Sequence, residues 1–127
     1  GYELDENIPR LFLDQGQIQQ SLINLIINAI EATDAGGSIF ISTDYQKYQD
    51  RVDIIVSDTG QGMSKDDLGK IFDPFFTTKD EGTGLGLAIT HGIIEQHNGA
   101  ISAFSKLGRG TVFTIKLPVE PGENDAD

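Results

Sequence analysis

The 127-residue chain contains no cysteine, which excludes a disulfide framework and any thiolate metal site. It also has no apolar run close to the ~18–20 residues that a bilayer-spanning helix needs. The opening residues lack the charged and apolar regions of a secretory leader. A cytoplasmic setting suits these absences, and any membrane anchor is expected outside this chain. Basic residues are few: nine Lys and Arg stand against twenty Asp and Glu, a formal net charge of −11. A general nucleic-acid surface is therefore not expected, because phosphate backbones call for clustered cations. If the ligand is anionic, a metal ion, a helix N-terminus or a few placed cations must hold it locally. No internal repeat is visible. What is present is ordinary for one soluble domain, with 38% hydrophobic and 23% charged residues and enough length to bury a core.

Hydrophobic periodicity organises the chain. Residues 10–14 read as a short strand. Asp14 and Gln17 then form a capping-box pattern before a long helix that runs to about Thr33. Residues 38–45 and 52–58 alternate as a strand pair. Ser64 caps a short helix over about Lys65–Ile71, and a second long helix runs from about Leu85 to His97, stopped by Asn98-Gly99. Residues 100–106 and 111–117 give two more strands joined by Gly108-Arg109-Gly110. These elements predict an α+β two-layer sandwich, with about five strands in a mixed, mostly antiparallel sheet and about three helices on one face. The folded domain is expected over residues 1–118, with 119–127 as an acidic, disordered tail.

Four features carry chemistry. On the first long helix, Gln17, Gln20, Ser21, Asn24, Asn28 and Glu31 project into one polar stripe, and apolar residues fill nearly all the rest. Such a helix is expected to be buried on most sides, which puts Asn24 and Asn28 at the edge of a packed interior. Two explanations stand for this pair. They face water, or an amide oxygen serves Mg²⁺, which takes a few protein oxygens and keeps its other contacts for water and phosphate. Asp58 continues the buried side of its strand after Val52, Ile54 and Val56. It is either a turn-initiating carboxylate or an acceptor for a ligand amino group, with Gly60 and Gly62 letting backbone approach a flat ring. Gly82-Thr83-Gly84-Leu85-Gly86-Leu87 opens the second long helix without a preceding strand, so it is neither a dinucleotide fingerprint nor a Walker loop. Its backbone N–H groups suit phosphate. Phe72, Phe75 and Phe76 crowd one polar loop, as internal anchors or as a docking patch.

Taken in order, Asn24–Ala29, Asp58–Met63, Phe72–Lys79 and Gly82–Leu87, closed by Gly108–Phe113, resemble the N, G1, F and G2 boxes of sensor histidine kinases. These kinases share a superfamily with gyrase, Hsp90 and MutL. The resemblance covers about residues 8–118 and implies a Bergerat-type fold that binds ATP and Mg²⁺. It implies that Asn28 ligates the metal, Asn24 lines the phosphate site and Asp58 binds the adenine amino group, with Thr111 nearby through water. Gly60 and Gly62 would shape the adenine pocket. Gly82, Thr83, Gly84, Leu85 and Gly86 would form the phosphate side, with Lys79 as the candidate cation. One departure stands out: Glu31 occupies a position where many relatives place Lys or Arg.

By the same resemblance, Asn24, Asn28 and Lys79 carry phosphoryl transfer to a histidine on a separate dimerisation domain, upstream of a response regulator. Neither His91 nor His97 is expected to be that acceptor, His91 reading as surface and His97 as a helix end. A monomeric fragment that binds ATP without phosphorylating itself is expected. The rival readings are an ATPase or serine kinase of the same superfamily, or a non-catalytic nucleotide-sensing module. The first rival is disfavoured because Asn24 stands where those relatives place a Glu base. The second is disfavoured because every box is intact.

Overall fold

The computed structural model describes residues 1–9, 11, 13–76 and 86–119. Five strands form one sheet: β1 (Tyr2–Glu3), β2 (Ile39–Gln46), β3 (Arg51–Asp58), β4 (Ala100–Lys106) and β5 (Gly110–Pro118). Their order is β1-β2-β3-β5-β4. β1 runs parallel to β2, and every other neighbouring pair is antiparallel. Helices α1 (Gln15–Ala32), α2 (Lys65–Leu68) and α3 (Gly86–Gln96), with a 3₁₀ turn over Lys47–Gln49 between β2 and β3, complete the element order. The expected sandwich and the five-strand mixed sheet are thus observed.

The core lies between helices and sheet. Leu25 and Ala29 of α1 and Ile93 and Ile94 of α3 meet Val56 of β3 and Phe113, Ile115 and Leu117 of β5. Alternation places those strand residues on one side of the sheet, and burial of their apolar area is the main driving force for the arrangement. α1 begins where the sequence indicates. Asp14 is its N-cap and accepts the Gln17 N–H at 3.0 Å, satisfying one of the free donors of the first turn. The reciprocal half of the box is absent, because the Asp14 N–H is donated to His97 Nε2 at 3.0 Å.

Three expectations are corrected. Leu11, Leu13 and Asp14 belong to no strand; both leucines instead pack on the core as irregular chain. The fifth strand is Tyr2–Glu3, an exposed two-residue edge too short to show periodicity. α2 ends at Leu68 rather than Ile71, since Gly69 closes it by donating to the Lys65 carbonyl. The surroundings of α1 also differ from the projection. Ser21 lies in the centre of the buried face and bonds back to the Gln17 carbonyl at 3.1 Å, whereas Ile23, Ile27 and Ile30 are exposed. One helix on one sheet face needs only a single buried stripe, so Ile18, Ser21, Leu25 and Ala29 supply it.

Candidate nucleotide site

The site is built where α1 ends and the β3, β4 and β5 strands reach their last rung. Register sets Ile39, Asp58, Thr111 and Ser105 side by side across β2, β3, β5 and β4. Asp58 is 6% exposed and Thr111 4%, so the buried placement expected of Asp58 holds and Thr111 shares it. The Asp58 Oδ1 accepts the Gly60 N–H at 2.8 Å and the Thr111 N–H at 3.3 Å. Two donors on one oxygen fix the plane of the carboxylate and hence the direction in which Oδ2 lies. A carboxylate is an acceptor on both oxygens, so this edge suits a ligand that brings N–H groups.

The turn after β3 is wedged between α1 and the β4–β5 hairpin. Gln61 N–H donates to the Ala32 carbonyl at 3.1 Å, and Gly108 N–H to the Gln61 carbonyl at 2.7 Å. Gly60 and Gly62 are required by these protein contacts themselves. A Cβ on Gly60 would lie 2.2 Å from the Ala32 carbonyl oxygen, and one on Gly62 2.0 Å from that of Lys106. Gly62 also has a φ of +71°, a region that side chains disfavour. The close approach expected toward a flat ring is, on the Cβ side, an approach to backbone.

Asn24 and Asn28 share one face of α1, both half-buried. The Asn24 amide nitrogen donates to the Gly86 carbonyl and to Thr90 Oγ1, each at 3.2 Å, while its oxygen accepts from Gln20 at 3.0 Å. Asn24 therefore pins the first turn of α3 to α1. The glycine-rich segment leads into that turn, so Asn24 sets the place where it must end. Of that segment Gly86 and Leu87 are described; Lys79, Gly82, Thr83, Gly84 and Leu85 lie outside the described residues. Among the described residues no group of three or more His, Asp or Glu side chains is placed to hold a metal. A dication would fit here only as the resemblance implies, on the hard amide oxygen of Asn28 with the remaining oxygens coming from phosphate and water.

The aromatic loop divides. Phe72 packs against Phe113 edge to face at 6.4 Å and against His91 at 5.1 Å, and Phe76 packs on the core. Phe75 is 72% exposed with a φ of +68°. Anchoring thus explains two of the three. Sequence reasoning missed His97 as a partner of the α1 cap and Ser105 as a member of the site row. No local signal marks either: Asp14 lies 83 residues from His97, and Ser105 meets Met63 across 42 residues and Gly110 and Thr111 only through the register of the β4–β5 hairpin.

This layout defines a two-layer α/β sandwich with a polar row at one end of its sheet, and the comparisons give its family. Residues 13–121 match the model of the histidine kinase-, DNA gyrase B- and HSP90-like ATPases, and the chain belongs to that family. It is 45% identical over 124 residues to sensor histidine kinase ZraS of Salmonella typhimurium, covering 98% of this chain and 26% of that protein. The chain thus spans about a quarter of the length of that curated relative. Among solved structures, the nucleotide-free catalytic domain of histidine kinase ThkA superposes with a TM-score of 0.81 at 40% identity, over 93% of this chain and 76% of that one. ThkA in complex with response regulator protein TrrA gives 0.77 at 36% identity, over 94% and 34%. Full-length ShkA with AMPPNP gives 0.81 at 32% identity, over 92% and 24%. The resemblance to histidine kinases and the two-layer fold are therefore established. No helix among the described residues is long and apolar enough to cross a membrane.

Proposed function

We propose that this domain binds MgATP and presents its γ-phosphoryl group to a histidine carried on a separate dimerisation domain of a two-component kinase. The observation that carries this reading is the buried Asp58, whose Oδ1 is engaged by two backbone donors. That engagement leaves an acceptor edge beside the end of α1. In this reading Asp58 takes the adenine amino group, with Thr111 beside it. Asn28 ligates Mg²⁺, Asn24 keeps α3 in place, and Lys79 with residues 82–86 meets the phosphates. Phosphoryl transfer asks the protein for positioning and charge neutralisation more than for covalent chemistry. A histidine acceptor is already nucleophilic, which fits a site with Asn24 where a general base would otherwise stand. The ThkA–TrrA complex supports a response regulator as the downstream partner.

The test is calorimetric titration of ADP, with Mg²⁺ and with EDTA, into wild type and Asp58→Asn. The amide can still accept from Gly60 and Thr111 through its oxygen, but it places an NH₂ where the carboxylate placed an acceptor. Wild type should bind more tightly with Mg²⁺. The variant should melt as wild type does and lose about a hundredfold in affinity. Equal binding by both proteins would remove Asp58 from the site, and no binding by folded wild type would remove the nucleotide reading altogether.

A further inference from the structure

Ser105 lies in the site row, between the turn after β3 and Thr111, and its hydroxyl makes three contacts. Oγ accepts the Met63 N–H at 2.8 Å. It is 3.0 Å from the Gly110 carbonyl oxygen and 2.9 Å from Thr111 Oγ1. A serine hydroxyl has one proton and two lone pairs. The Gly110 carbonyl can only accept, so the single Ser105 proton goes there. One lone pair takes the Met63 N–H, and the contact with Thr111 then closes only if Thr111 is the donor. This is the one proton assignment in which all three contacts are hydrogen bonds.

From this bookkeeping we infer that Ser105 is a specificity-positioning residue, holding the Thr111 hydroxyl as an acceptor toward any ligand. The inference rests on the nucleotide reading above and deepens it. With its proton committed to Ser105, Thr111 Oγ1 offers only lone pairs to an incoming group, as Asp58 does. The Asp58–Thr111 edge therefore presents acceptors throughout. It favours a purine with an amino group at position 6 and opposes one with a carbonyl there, which would leave acceptors facing acceptors. Ser105 need not touch the ligand to have this effect. It acts by removing the alternative in which Thr111 rotates to donate.

The experiment compares ADP with inosine diphosphate, which carries a 6-oxo group, by calorimetry on wild type, Ser105→Ala, Thr111→Val and the double variant. Wild type should prefer ADP strongly. In Ser105→Ala the threonine proton is released, inosine diphosphate gains a donor, and the preference should narrow by about tenfold. Thr111→Val removes the hydroxyl while keeping its shape and should narrow the preference similarly. Adding Ser105→Ala to it should then change the ratio no further. If Ser105 serves packing alone, Ser105→Ala weakens both ligands equally and the ratio stays at the wild-type value, which overturns the inference while leaving the nucleotide site standing. Should Ser105→Ala fail to fold, Thr111→Val decides alone, an unchanged ratio being the negative result. Absence of ADP binding by folded wild type would sink the nucleotide reading and this inference with it.

Discussion

The β3–β5 ladder is closed by different means along its length. Its middle rungs, Val52 with Leu117, Ile54 with Ile115 and Val56 with Phe113, are filled by apolar side chains. Its last rung, Asp58 with Thr111, is filled by hydrogen-bonded polar atoms and by main chain from the Thr59–Met63 turn. Side-chain packing tolerates a change of volume at a graded cost, because neighbours relax in part. A backbone-to-backbone approach does not, since neither side has a rotamer to change. The middle and the last rung of one ladder should therefore respond to mutation in different ways.

The largest expected effect is in the middle. Phe113→Ala empties a fully buried site and should cost about 4 kcal/mol, read from urea unfolding. The fraction still folded should keep most of its affinity for ADP. A selective loss of binding there would break the distinction between the middle and the last rung. Next comes Gly62→Ala, where one methyl meets the Lys106 carbonyl at 2.0 Å and the φ is +71°. A loss of about 3 kcal/mol is expected, together with weaker ADP binding, because the displaced turn carries the Gly60 N–H that orients Asp58. Thermal melting and titration of the same samples check both. Asp14→Ala removes the cap of α1 and should cost about 1 kcal/mol in the same melt.

The smallest effect concerns pH, away from this ladder. Asp5 accepts backbone N–H bonds from Tyr45 and Asn7 at 2.8 Å each. These bonds, that from Tyr45 first, hold its carboxyl below the usual 3.8. The folded state thus takes up this proton less readily than the unfolded chain. The contribution is present above the unfolded value and is lost as pH falls through the lowered one. A carboxyl-carbon NMR titration should show Asp5 titrating below 3.8, with the Tyr45 amide signal moving in step. An ordinary midpoint would show that these bonds do not hold in solution.

Legibility from sequence followed distance along the chain. The α1 cap was readable because Asp14 and Gln17 are three residues apart, and β2 and β3 because alternation is local. The polar end of β3 was visible as the continuation of a buried side, which placed Asp58 correctly. The reasons for Gly60 and Gly62 were not readable, since Ala32 and Lys106 approach them from remote segments. Ser105 looked like one more strand serine, and only the hairpin register shows what it touches. His97 meets Asp14 across 83 residues, which no periodicity encodes. The burial on most sides expected of α1 failed because composition does not state how many layers surround a helix.

The strand order carries a consequence for how the site comes into being. β5 sits between β3 and β4 although it follows both in sequence, and Thr111 is 53 positions from Asp58. The loop that must close before this rung forms is long, and its entropy is spent before the contact returns anything. A nascent chain that has emerged only as far as α3 would hold Asp58 with its β2 partner and Gly60, yet without Thr111 or Ser105. Ligand recognition is thus among the last properties the domain acquires as it folds. Nucleotide added to refolding chains should bind only after β5 has docked, stabilising the product without speeding the search that leads to it.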